Sequence, residues 1–400
     1  MAALFEEATL GPLSLRNRIV KSATFEGASP GGRPTAELVE FHRRVAAGGA
    51  AMSTVAYLAV APEGRTNDGC MVMVPSLVEA LRGLTDAIHA EGALAAAQIG
   101  HAGPVADAGS NGVQSVTPSA AFSPLGMRRS RAATEYDIER ITDDYRRTAQ
   151  LCVQAGFDSI EIHMGHTYLL NSFLTPKLNR RNDRWGGSLH NRARLARQVA
   201  GAVREAVGRG VAVTAKLNMA DGFRGGLQPD ESLEVAQWLQ DDGNLDALEL
   251  TGGSSLANPM YLFRGGTPLR EFRSTLPWYL RPGFALVGSR FLKAYPYEEA
   301  YFMDKAMEFR RRLEMPLVLL GGISRLDTAE SAIDAGFEFV AMGRALLHDP
   351  DLPDQWRSGS TTESGCIHCN RCMPTIYTGT RCPLVQPRPG DRPIVAAGAS

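Results

Sequence analysis

The chain has 400 residues, 44% of them apolar and 21% charged, with 42 Lys and Arg against 43 Asp and Glu for a formal net charge of -1. That balance excludes the basic surplus of a nucleic-acid-binding surface, and no apolar run approaches the roughly 18 residues that span a bilayer. The opening MAALFEEATLG lacks the charged, apolar and cleavage regions of a signal peptide, so a cytoplasmic enzyme with neither a membrane nor a nucleic-acid partner is the expectation.

In chain order, short segments rich in apolar or β-branched residues recur: NRIVKSA (17–23), AAMSTVAY (50–57), ALAAAQI (93–99) and DSIEIH (158–163). They continue with VAVTAKLN (211–218), DALELTGG (246–253), PLVLLGG (316–322) and FEFVAMG (337–343). Between most of them lie amphipathic stretches with helical spacing, at 35–49, 75–92, 135–156 and 189–208, and the glycines at 49, 92, 156 and 208 read as helix stops. Eight strands alternating with helices predict an α/β fold of the (β/α)8 TIM-barrel type. A doubly wound sheet would advertise G-x-G-x-x-G after an early strand, and the sequence has none there. One barrel over 1–357 and a Cys-containing extension and tail over 358–400 are expected, with the Pro- and Gly-rich end from about 383 loose or draping.

Barrels concentrate chemistry at the C-terminal ends of their strands. That gathers Thr24, Glu26, Gln98, His101, His163, His166, Lys216 and Asn218 on one rim, with Gly252–Gly253, Gly321–Gly322 and Gly343–Arg344. In LLGGISRLDTAESAIDAG two glycines follow an apolar strand and a helix opens near Ser324. Small residues there let backbone N–H groups approach a phosphate, and Arg344 after the next strand could add a bidentate guanidinium. In EIHMGHTYLLNSFLTP (161–176), His163 and His166 stand three apart with Tyr168 two further on. A metal pair, two core histidines and an anion clamp all fit that spacing.

Six cysteines are spread unevenly: Cys70 and Cys152 are isolated, whereas Cys366, Cys369, Cys372 and Cys382 fall within 17 residues. Without an export signal such a cluster reads as metal or redox chemistry before disulfides.

The stretches LGPLSLRNRIVKSA, AQIGHAGP, DSIEIHMGHTYLLNSFLTPKLNRRNDRWGGS and LVLLGGISRLDTAESAIDAGFEFVAMGRALL together resemble the old yellow enzyme group of FMN-dependent NAD(P)H oxidoreductases, over roughly residues 3–357. The resemblance implies bound FMN, with NADH or NADPH as a transient reductant in the same pocket. It implies Ala23 and Thr24 along the flavin, Gln98 at its pyrimidine edge and Lys216 near N1 and the C2 carbonyl. It assigns Gly321, Gly322, Gly343 and Arg344 to the FMN phosphate. His163 and His166 become the clamp on a substrate oxygen and Tyr168 the proton donor. The implied reaction is ene-reductase-like reduction of an electron-poor C=C bond in a small molecule, by ping-pong hydride transfer. NRRNDRWGGSLHNRAR reads as a salt-bridged structural loop, and the segment 254–296, with Trp278 and Tyr279, as a cap over the pocket.

Two features depart from that family. Phe25 stands where many relatives carry a Thr or Cys near flavin C4=O, and Lys21 replaces a usual apolar residue. The tail CIHCNRCMPTIYTGTRCP resembles the cysteine segment of longer relatives such as the dienoyl-CoA reductases and trimethylamine dehydrogenases, where it holds a [4Fe–4S] cluster. Iron–sulfur, zinc and plain thiols all stay open for Cys366, Cys369, Cys372 and Cys382. An iron–sulfur flavoprotein and a non-catalytic flavin-binding barrel are the alternative functions. Association into a homo-oligomer is left open.

Overall fold

The computed structural model describes residues 3–123, 128–276, 278–389 and 391. All eight predicted strands form, as β1 (Ile19–Lys21), β2 (Met52–Ala59), β3 (Leu94–Gly100), β4 (Ser159–Met164), β5 (Ala212–Asn218), β6 (Ala247–Thr251), β7 (Leu317–Leu320) and β8 (Phe339–Met342). They close into one barrel in which β8 pairs with β1 and every neighbour is parallel. The four helices expected between the early strands are α1 (Ala36–Ala47), α2 (Val78–His89), α3 (Glu135–Gln154) and α4 (Leu189–Val207). Capping explains their starts: Thr134 accepts from the Asp137 amide while the Asp137 carboxylate takes the Thr134 N–H, a reciprocal box at the head of α3. At the stops after α3 and α4, Gly156 and Gly208 take φ of 88° and 69°, where a side chain would be strained.

Alternation along each strand divides its side chains between the barrel interior and the helical shell. Toward the N-terminal end the interior is dry: Val20, Met52, Ala96, Ala212, Ala247 and Val318 pack there with Phe339 and Ala341. An antiparallel hairpin, Ala8–Leu10 with Leu13–Leu15, contributes Leu10 and Leu15 to the same cluster and closes that end. Toward the C-terminal end the interior turns polar, with Gln98, Glu161, His163, Lys216 and Glu249 buried there.

The loop NRRNDRWGGSLHNRAR is structural, as read. Arg181 forks onto Asp183, Arg184 pairs with Glu135, and the buried Trp185 indole donates to Glu135 over 2.7 Å. The C-terminal extension packs against the rim. Thr380 donates to the Glu26 carbonyl over 2.6 Å, Ser364 to that of Ser324 over 2.9 Å, and the Gly266 N–H to that of His368 over 2.9 Å. The end expected to drape lies partly outside the described residues. Its described part is tied by Arg381 to Asp391 at 2.8 Å.

Candidate functional site

Strand register decides which side chains meet. Glu161 pairs across to Gln98, His163 to Lys216, and Lys216 to Glu249, so residues two apart on β4, β5 and β6 enter the barrel together. Gln98 donates to Glu161 Oε1 over 2.7 Å. Lys216 Nζ lies 3.3 Å from Glu161 Oε1, 3.0 Å from Glu249 Oε1 and 3.0 Å from Ser22 Oγ, and Ser22 donates to Glu249 over 2.8 Å. All five are buried. Burial pushes the Glu161 carboxyl up; Lys216 pulls it back and Glu249 adds to the rise, leaving it at about 8. Burial works against the charge of Lys216, yet the two carboxylates outweigh it and hold the ammonium above its ordinary value. This is a polar floor with a net deficit of cations.

Above it, the chain leaving β4 turns through two consecutive residues in the left-handed region, His166 at φ 57° and Thr167 at φ 69°. Such conformations cost on the order of 1–3 kcal/mol each and persist where surroundings enforce them. Here Asn218 takes the His166 N–H at 3.1 Å and Asn171 takes that of Thr167 at 2.6 Å. Both amides are in turn held by Asp221. The turn folds His166 back onto His163, with ring centroids 5.0 Å apart, and brings Tyr168 to 4.4 Å from His163 and 5.5 Å from Tyr57. His166 Nε2 is 2.9 Å from Thr251 Oγ1, whereas the buried His163 Nδ1 has no protein partner. Burial, aided by the Lys216 charge, drives both imidazoles down, His166 to about 3. Both are neutral at pH 7. Burial pushes the Tyr168 phenol above its ordinary value, so it keeps its proton. Phe25, Tyr168 and Leu256 pack, part-buried, on a cluster of Ala56, Tyr57, Cys70 and Ala102 that keeps this side dry.

The glycines gather opposite. Gly321 and Gly322 adopt φ of 111° and 81°, and a Cβ on either would strike Phe302 or Tyr301 at about 2.5 Å, so only glycine fits. Gly343 ends β8 beside Thr24, whose methyl carbon would lie 3.6 Å from an added Cβ. Ala23 and Thr24 thus line the seam between β1 and β8, where the Ser22 N–H bonds the Met342 carbonyl at 3.0 Å. Arg344 is reached through Tyr297, whose ring lies 5.9 Å from its guanidinium and whose hydroxyl contacts the Gly322 carbonyl at 3.2 Å. Its Nη1 donates to the Arg264 carbonyl at 2.7 Å and to Asn370 Oδ1 at 2.5 Å, so the extension, not open water, faces it.

These features fit FMN. The structure pairs a buried cation and an amide on one side with a two-glycine turn and an arginine on the other, and the buried His163 Nδ1 lacks a partner between them. Among the described residues no three His, Cys, Asp or Glu side chains are grouped to hold an ion, and Cys366, Cys369, Cys372 and Cys382 lie close enough to raise one another's thiol pKa values. All four are free, and burial pushes the Cys372 thiol up to about 12. Within the segment 254–296, Trp278 and Tyr279 are 79% and 60% exposed, whereas Tyr261 packs against Phe302 and Leu256 packs on the cluster beside Tyr168. Lys21, the other departure, points out of the barrel toward α1, where it pairs with the buried Glu26 at 2.5 Å and lies 4.9 Å from the Phe41 ring.

Glu161, Glu249 and Ser22 were not singled out in the sequence. The signal was there for the carboxylates: in SIEIHM and LELT each sits two residues before a rim residue, His163 or Thr251, on the same inward face.

Comparison with known proteins adds four findings. The family model described as NADH:flavin oxidoreductase / NADH oxidase matches residues 3–249. A 4,4'-dithiodibutanoate disulfide reductase from Rhodococcus erythropolis is 55% identical over 95% of this chain and 94% of its own length. A metal reductase from Desulforamulus reducens is 30% identical over 94% of this chain, which spans 52% of that longer protein. Among solved structures, the old yellow enzyme homologue from Zymomonas mobilis superposes with a TM-score of 0.74 at 23% identity, covering 98% of this chain and all of that one. At that identity the likeness speaks for the fold.

Proposed function

The chain belongs to the NADH:flavin oxidoreductase / NADH oxidase family, and from that premise we propose that it transfers hydride from NADH or NADPH, by way of FMN, to an electron-poor C=C bond of a small molecule bound beneath His163 and His166. The observation that carries this reading is the neutral imidazole pair, with a protonated phenol edge-on to His163, above the Lys216 floor. FMN, when bound, supplies the two-electron store that nicotinamide fills and the acceptor empties.

The chain's own residues do the rest. Gly321, Gly322, Gly343 and Arg344 would hold the phosphate, and Ala23 and Thr24 would lie along the ring system. Gln98 and Lys216 would face the pyrimidine edge, where a buried cation favours charge arriving with the hydride. His163 and His166 would donate neutral N–H bonds to the acceptor oxygen and stabilise the enolate-like charge growing there. Tyr168 would deliver its proton to the α-carbon, so each turnover consumes one NAD(P)H and one proton for one saturated bond.

A second acceptor, an organic disulfide, is favoured by the 55% identity to the dithiodibutanoate reductase. It needs the same hydride and one proton to yield two thiols. Rapid mixing of the pre-reduced, FMN-loaded chain with an enone, a nitroalkene and 4,4'-dithiodibutanoate separates the two. Fast flavin reoxidation by the alkenes supports the first reading, and fast reoxidation by the disulfide alone replaces it with the second. A chain that gains no flavin absorbance on incubation with FMN refutes both.

A further inference from the structure

The floor holds two carboxylates and one ammonium. Glu161 and Glu249 both contact Lys216, at 3.3 and 3.0 Å, and their side chains are 5% and 4% exposed. Fully ionised, this group carries a net charge of -1 inside a barrel, and such a charge is costly unless compensated.

Little else nearby supplies the missing cation. β3 presents the neutral amide of Gln98 and β1 the hydroxyl of Ser22. β2 offers Ser53, Thr54 and the phenol of Tyr57, which is engaged with the Gly64 carbonyl. β7 and β8 are LVLL and FVAM, without a titratable group. His163 and His166 above are neutral, and Lys21 on the outer face of β1 is committed to Glu26. A proton is the remaining means of balance.

We propose that Glu161 and Glu249 form a shared proton-holding pair that takes up one proton from solvent when flavin bound over Lys216 accepts two electrons. The inference rests on the functional reading, because it requires FMN at this floor. The negative charge that reduction places beside Lys216 weakens that cation's hold on the carboxylates, and so raises their proton affinity. The balance is two electrons from the reductant, one proton on the isoalloxazine and a second on the carboxyl pair. Since burial holds the Glu161 carboxyl up at about 8 before reduction, the second proton appears at and above that pH. His163, His166 and Lys216 stay in one protonation state throughout.

Potentiometric titration of the FMN-loaded chain from pH 6 to 10 reads this directly. One proton per two electrons moves the midpoint by about 30 mV per pH unit and two protons by about 60 mV. The wild type is expected to run at the shallow slope below pH 7.5 and to steepen to the two-proton slope above pH 8, and Glu161→Gln is expected to stay shallow throughout. A wild type that stays shallow, or a Glu161→Gln variant that steepens equally, overturns the proposal. Should the variant fail to fold, proton uptake by the wild type decides alone. Photoreduction at pH 8.5 in weak buffer with an indicator dye should consume nearly two protons per flavin, and a value of one overturns the pair. Both readouts need a flavin spectrum first, so loss of FMN binding marks failure of the functional reading rather than of the pair.

Discussion

Lys216 Nζ stands 3.0 Å from Glu249 Oε1 inside the barrel, with the two side chains 2% and 4% exposed. That contact links β5 to β6 directly below the imidazole pair, and it makes the floor of the site a part of the fold's stability as well as of its chemistry.

Lys216→Met removes the cation that both buried carboxylates contact. Breaking a buried pair from one side costs about 3–5 kcal/mol, part of which protonation of Glu161 recovers. Urea denaturation of the variant should show a clear loss of stability, larger at pH 8.5 than at pH 6. Equal stability at both pH values would contradict the placement of Lys216.

Stability should peak near neutral pH. Burial depresses His42, His101 and His163, with His101 at about 4, so the unfolded chain binds protons near 6.5 that the folded chain refuses. Their contribution is present above 6.5 and is lost as pH falls, by up to about 1.4 kcal/mol per pH unit for each group. Glu161 has the opposite sign. Its folded value is raised to about 8, so its contribution is present below 4.5 and is lost as pH rises toward 8. Chemical denaturation from pH 5 to 9 should therefore trace a dome, and Glu161→Gln should flatten the fall between about 6.5 and 8 and steepen the rise below it.

Tyr168→Phe keeps the ring packing against His163 and Tyr57 but removes the proton. Flavin reduction by NAD(P)H should be nearly unchanged, while reoxidation by an enone slows about 10²–10⁴-fold. His166→Ala should slow the same half-reaction about 10²–10³-fold. Stopped-flow traces of the two halves separate these effects, and slowing confined to the reductive half would argue against both roles.

At the phosphate end, Gly321→Ala forces a Cβ to within about 2.5 Å of Phe302 at φ 111°. Arg344→Gln keeps the backbone but removes the guanidinium. Both should weaken FMN binding by at least tenfold in a fluorescence titration of the apoprotein, with only the alanine variant also losing thermal stability. An Arg344→Gln variant that binds FMN as tightly as the parent would remove Arg344 from the site.

The strands were legible because each is a short apolar run bounded by glycine or polar residues, and the eight observed strands lie at the predicted places. The rim was legible from strand ends: Gln98, His163, Lys216 and the two glycine turns follow from counting along strands of known direction. The cysteines were not. Four thiols in 17 residues state a ligand inventory, but their arrangement depends on a segment whose backbone is set by Phe25, Glu26, Gly266 and Ser324 elsewhere in the chain. The exposure of Trp278 and Tyr279 was not legible for a related reason, since an aromatic pair in a loop carries no information about which way it faces.

Period-two alternation and glycine placement, both local properties, determined from the sequence alone that this chain forms a barrel with polar groups at one end. Only the closed sheet decided that Glu161, Lys216 and Glu249 share one charge balance, because those residues are 55 and 33 positions apart and meet through strand register. Desolvation acts on that assembled group. No count along the chain shows that two carboxylates and one ammonium will be shut in together with water excluded.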